Sequence, residues 1–129
     1  MLKSNVGYSI NQDNYLAGEE TAKKTLENMS NSKLGFLFTS VKNDIKEVLK
    51  GVRKVTDTPI IGCTSSGAIM VPDGIISSDN GFVGMMMLCD EDMTIGIACH
   101  EAGRDARAIG RKVDGCIEPY ARRRPDMGS

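Results

Sequence analysis

The 129-residue sequence predicts an α/β fold: a βαβαβ unit with a mixed sheet, followed by an antiparallel hairpin and a C-terminal helix. Three observations predict it. Apolar runs of strand length alternate with amphipathic segments of helical period through residue 63. The segments between those runs are long enough to be crossover helices, which favours parallel strands joined by right-handed connections. Two later strand-like runs are separated only by the acidic turn Asp90-Glu91-Asp92, a spacing that suits a hairpin.

Residues 5 to 10 (NVGYSI) alternate apolar with small or polar side chains, and the Asn11 to Asn14 segment supplies turn and capping groups. From 15 to 29, Leu16, Ala22, Leu26 and Met29 recur at roughly helical spacing among Glu19, Glu20, Lys23, Lys24 and Glu27. Glu19-Lys23 and Glu20-Lys24 are spaced as favourable i,i+4 pairs. The run 34 to 39 (LGFLFT) reads as a central strand covered on both faces. A second helix is predicted over 43 to 55, with Ile45, Val48, Leu49 and Val52 on one side. Asp57-Thr58-Pro59 stops it, and 59 to 63 (PIIGC) reads as a short buried strand. After a loop containing Pro72-Asp73-Gly74, strands are predicted over 81 to 89 and 93 to 99, with Met85-Met86-Met87 alternating between the core and the opposite face. A third helix over 103 to 117 places Ala106, Ile109, Val113 and Ile117 on one face. Residues 1 to 118 thus read as one domain, and 119 to 129, with Arg122-Arg123-Arg124, as a flexible tail.

Residues 93 to 113 echo 5 to 29 in layout, a strand with an internal glycine followed by Ala-Gly and an amphipathic helix. If this is a repeat, its second copy stops short, and the chain is expected to be part of something longer or to need a partner at its sheet edges. A homo-oligomer is one such arrangement.

Composition narrows the function classes. With 40% hydrophobic and 26% charged residues the chain has the make-up of a globular protein. Its 16 basic and 17 acidic residues give a net charge of −1, so no global field draws nucleic acid or anionic lipid. No apolar run approaches the ~20 residues of a membrane helix, and a cytoplasmic location is expected. Cys63, Cys89, Cys99 and Cys116 form no CxxC pair, and His100 is the only histidine, so neither a metal site nor a cofactor is expected. The cysteines read as reduced thiols in apolar settings.

The segment Ile60-Ile61-Gly62-Cys63-Thr64-Ser65-Ser66-Gly67-Ala68 is the most informative. A strand there ends in small hydroxyl residues between glycines, and ligands of α/β sheets bind beyond the carboxyl ends of strands. The other two strands end similarly, in Thr39-Ser40 and in Ser9-Ile10-Asn11. Ser9, Asn11, Thr39, Ser40, Cys63, Thr64, Ser65, Ser66 and Gly67 are therefore the candidate lining of a pocket for a small polar ligand. Residues of these types also build turns with no ligand at all. A Cys63 nucleophile would need a base such as His100 nearby, and a nucleophile elbow around Ser65 lacks its first glycine. No phosphate-loop or dinucleotide fingerprint is present. Binding without catalysis is the favoured reading. A cysteine-dependent enzyme and a structural or oligomerising module are the alternatives.

Taken in order, VGYS (6 to 9), AGEETAKKTL (17 to 26), LGFLFTS (34 to 40), DIKEVLKGVRKV (44 to 55) and PIIGCTSSGAI (59 to 69) resemble the FIST N-terminal domain, well over residues 5 to 70 and loosely over 80 to 117. The resemblance implies a sensory role in a bacterial signal-transduction protein, with a small ligand such as an amino acid. It also implies a C-terminal FIST partner domain or a signalling output module as partner. Ala68 departs from the acidic residue that often follows the motif's last glycine in that family.

Overall fold

In the computed structural model, residues 1–101 and 103–122 are described, with side chains to residue 115. The chain divides into two compact units, Met1–Met93 and Thr94–Ser129. The first unit holds β1 (Lys3–Ser9), α1 (Asn14–Thr25), β2 (Ser32–Ser40), α2 (Ile45–Val55), β3 (Ile60–Ser65), β4 (Ile69–Val71), β5 (Gly74–Ile76) and β6 (Val83–Cys89). The predicted α/β class, βαβαβ succession and mixed sheet are all present.

The sheet order is β1-β6-β2-β3. β2 and β3 are parallel, as predicted, but β6 inserts between β1 and β2 and runs antiparallel to both. β1 and β2 therefore point the same way without touching. This arrangement also removes the predicted hairpin: both edges of β6 are already paired, so no edge is left for residues 93 to 99, which form no strand. The acidic turn itself survives, with the Asp92 amide donating to the Asp90 carboxylate at 3.0 Å.

Both crossovers advance toward the β3 side of the sheet, which places α1 and α2 on one face, packed against each other. Val48 and Val52 of α2, Ala17 and Ala22 of α1, Leu37 of β2 and Val83, Met85 and Met87 of β6 make the core. Met86, between two buried methionines, turns to the other face, as the strand period requires.

The predicted face of α1 holds at Ala22, which is in the core, and at Leu26 and Met29, which pack against it, but not at Leu16. Leu16 is 42% exposed, while Ala17, Gly18, Thr21, Ala22 and Thr25 are buried. Small side chains let the helix approach backbone on two sides. A Cβ on Gly7 of β1 would lie 2.5 Å from Thr25 Oγ1, and one on Gly18 would strike the Val48 carbonyl oxygen. The two threonines are satisfied inside the core by donating to carbonyls one turn back, Thr21 to Ala17 at 2.7 Å and Thr25 to Thr21 at 2.6 Å. Glu19 also faces inward, bridging Lys23 at 3.0 Å and Lys54 of α2 at 3.2 Å. These two ammonium groups hold its carboxyl below the ordinary range.

β3, predicted to be buried, is exposed along most of its length because it ends the sheet. Pro72 and Asp73 form the turn of a small hairpin, β4 paired with β5, in a segment predicted as a loop. Its Ile69 lies over Gly84, where a Cβ would collide with the isoleucine side chain.

In the second unit, residues 94–101 have no regular structure, and α3 runs Ala106–Arg122, starting and ending later than predicted. Asp105 caps it by accepting the Ala108 amide at 3.1 Å. The proposed repeat fails at its strand. Ala102 and residues 123–129, including Arg123 and Arg124 of the predicted tail, lie outside the described residues.

Candidate functional site

The carboxyl ends of β1, β2 and β3 do lie along one edge of the sheet, but eight of the nine candidate residues separate there into three groups and Ser65 stands apart. Ser9 and Thr39 both pair with Val83, from opposite sides. They are therefore two strand spacings apart, about 10 Å.

At the β1 end, Ser9 is buried and its hydroxyl donates to Glu20 Oε2 at 2.7 Å, while Asn11 Nδ2 donates to Oε1 at 3.0 Å. The Asn11 amide closes the group by donating to Ser9 Oγ at 3.1 Å. Both carboxylate oxygens are used to fasten the β1–α1 turn, so Ser9 and Asn11 are occupied internally. The predicted Glu20–Lys24 pair persists as a charge attraction without a direct bridge, since this cluster takes the carboxylate oxygens and Lys24 Nζ donates to the Tyr8 carbonyl at 3.3 Å.

The Ser9 hydroxyl and the Asn11 amide hold the Glu20 carboxyl below its ordinary range. A group lowered in the folded state stabilises it above the ordinary carboxylate range and loses that contribution as pH falls through the folded value. Glu20→Gln turns one acceptor into a donor facing Asn11. It should cost about 1 kcal/mol at pH 7, less than the ~1.5–3 kcal/mol of a hydrogen bond to a charged group, because solvent reaches the carboxylate. Urea denaturation as a function of pH checks this: the gap between wild type and variant should close as the pH falls below the carboxylate range.

On the helix side of the β2–β3 end, Thr39, Cys63 and Thr64 border a slot of about 260 Å³ completed by Leu37, Ile45, Leu49, Ile60 and Gly62. Its lining is mainly apolar and supplies no base or cation to activate the exposed Cys63 thiol. Cys99 is also exposed, against expectation, whereas buried Cys89 donates to the Ser30 carbonyl.

The third group forms a polar cleft. Ser40, Ser66 and Gly67, together with Lys42, Ser77, Ser78 and Asp79, line about 350 Å³ beyond the ends of β2 and β3. Lys42 Nζ donates to the Asp79 carbonyl at 2.9 Å and its amide to Ser40 Oγ at 3.1 Å, tying the β2 end to the loop before β6. Asn43 fixes the same region, accepting the Phe82 amide at 3.1 Å and donating to Asn14 Oδ1 at 2.8 Å. Ser65 faces its own turn, donating to the Ala68 carbonyl at 3.0 Å. Lys42, Ser77, Ser78 and Asp79 were not singled out from the sequence. Only the insertion of β6 next to β2 brings residues 77 to 79 to this point.

A larger open groove of about 900 Å³ runs beside β1 and the α1–β2 loop. Asn5 is committed within it to the end of α1, donating to the Thr25 carbonyl at 2.9 Å. Among the described residues no three His, Cys, Asp or Glu side chains gather as a metal site would require. No helix among them is long and apolar enough to cross a membrane.

The mixed α/β sheet thus carries a hydroxyl-rich cleft beyond the carboxyl ends of its parallel strands β2 and β3. The FIST N domain family model matches residues 33–126, most of the chain, and the protein belongs to that family, whose members are sensory domains of signal transduction. A comparison with curated proteins gave no match.

Proposed function

We propose that this chain is the ligand-binding part of a signalling protein and that it takes a small polar metabolite, such as an amino acid, in the cleft formed by Ser40, Lys42, Ser66, Gly67, Ser77, Ser78 and Asp79. The observation that supports this most is the position of the cleft, at the carboxyl ends of two adjacent parallel strands, where crossover geometry leaves hydroxyls and backbone amides unshielded. Lys42 offers a charge to a carboxylate, Asp79 offers one to an ammonium group, and the serines can donate or accept around them. The volume suits a ligand of amino-acid size. The module acts by binding and not by catalysis, in the cytoplasm of a bacterium, and passes its response to a following FIST domain or output module.

Thermal-shift measurements with the common amino acids at millimolar concentration test this. A ligand at 100 times its Kd stabilises the folded state by about 2.7 kcal/mol, enough for a clear rise in Tm. At least one amino acid should produce a concentration-dependent rise that Lys42→Ala removes. A flat response to the whole set would refute the amino-acid reading, and a rise unaffected by Lys42→Ala would place the ligand elsewhere.

A further inference from the structure

We infer that the polar cleft recognises its ligand by a carboxylate, bound by hydrogen-bond donors on Ser40, Lys42 and Ser78, and that the ammonium group of an amino acid is dispensable there. This rests on the cleft being the ligand site proposed above, and it narrows the ligands to small polar carboxylic acids, hydroxy acids as well as amino acids. A serine hydroxyl has one proton to donate and two lone pairs with which to accept. Ser40 is only 4% exposed and its Oγ accepts the Lys42 amide at 3.1 Å, yet among the described residues nothing accepts its proton. A buried donor without an acceptor is costly and calls for a partner. Ser78 repeats the pattern: its Oγ accepts the Asn80 amide at 3.2 Å and its proton is uncommitted among the described residues. An N–H bond received in this way polarises a hydroxyl and strengthens it as a donor. Lys42 has committed one ammonium proton to the Asp79 carbonyl, at 2.9 Å, and keeps two. All three groups line the same cleft.

Charge in the lining sets the charge of the ligand. Lys42 is the cleft's cation and matches one carboxylate, whereas a phosphate group brings more negative charge towards Asp79 than Lys42 can balance. The Asp79 carboxylate can meet an ammonium group, but Asp79 is exposed, and a charge pair in contact with water gains little. A ligand hydroxyl can donate to the same oxygen, so a hydroxy acid keeps that bond. No apolar side chain lines the cleft, and a branched or aromatic ligand would find nothing there to bury against.

Isothermal titration calorimetry of the full chain with L-serine, glycerate and serinol provides the test. The three share one carbon frame: glycerate has a hydroxyl in place of the ammonium group, and serinol has a hydroxymethyl in place of the carboxylate. Serine and glycerate should bind within ~10-fold of each other, and serinol ~100-fold more weakly than either. Ser40→Ala should weaken serine and glycerate alike by ~10-fold with unchanged far-UV circular dichroism. Should Ser40→Ala lose its fold, Ser78→Ala decides in its place. Serinol binding as tightly as serine would overturn the carboxylate assignment, as would glycerate failing to bind where serine does, or affinities indifferent to both alanine variants. Binding by none of the three would overturn it as well. In that case a Lys42-dependent rise in Tm with another amino acid would leave the cleft standing as a binding site, whereas a flat response to every amino acid would remove both readings.

Discussion

Gly51→Ala is expected to destabilise the protein by ~3 kcal/mol or more, although alanine ordinarily gains about 1 kcal/mol over glycine inside a helix. A Cβ at position 51 would strike the Tyr15 carbonyl oxygen and lie 2.8 Å from the Glu19 amide nitrogen. The atoms in its way are backbone, so no rotamer change makes room, and α1 and α2 would have to separate. Gly18 makes the reciprocal approach to Val48, so each helix supplies a glycine at the crossing. Urea denaturation measures the loss. Gly110→Ala serves as the opposite control, because among the described residues no atom outside the helix's own backbone lies within 4 Å of a Cβ added there. It should raise the helical signal at 222 nm. Equal midpoints for wild type and Gly51→Ala would contradict the helix contact described above.

Phe82→Ala is expected to cost ~3–5 kcal/mol, a large share of the 5–15 kcal/mol by which a typical domain is stable. Phe82 is 1% exposed and enters β6, the strand that joins β1 to β2. Its amide and carbonyl are held by Asn43 and Ser40, so the truncated side chain leaves a void that the backbone cannot easily close. Met86→Ala, on the less covered face of β6, should cost only about 1 kcal/mol. Chemical denaturation of the two variants distinguishes these outcomes, and comparable losses would contradict the assignment of faces. The loop preceding Phe82 lines the polar cleft, so Phe82→Ala should also blunt any ligand-induced rise in Tm.

Local pattern in the sequence was enough to locate β1, α1, β2, α2, β3 and β6, because each combines a clear period with a strong stop such as Pro59 or the Asp90 turn. Pairing order was not legible. That β6 lies between β1 and β2 depends on contacts across most of the chain, and nothing local in VGMMMLC distinguishes a central strand from one arm of a hairpin. On the buried face of α1 the expectation holds for Ala22, Leu26 and Met29 but fails at Leu16 for a related reason. Hydrophobicity favoured Leu16, but shape governs here, since only Ala, Gly and Thr fit against the backbones of β1 and α2. Of the candidate residues, Ser66 and Gly67 after β3 line the polar cleft, whereas Ser9 and Asn11 are bound by the Glu20 carboxylate, whose i,i+4 spacing to Lys24 gives no sign of that role.

The central place of β6 sets a timetable for folding. As the chain emerges from the ribosome, β2 and β3 can pair early, but β1 has no partner until residues 83 to 89 arrive, and residue 3 must then find residue 89. Until that moment the apolar faces of α1 and α2 have only part of a sheet to rest on. Assembly therefore ends with a strand threading into a waiting gap, a long-range step of the kind that slows folding and prolongs exposure to aggregation or chaperones.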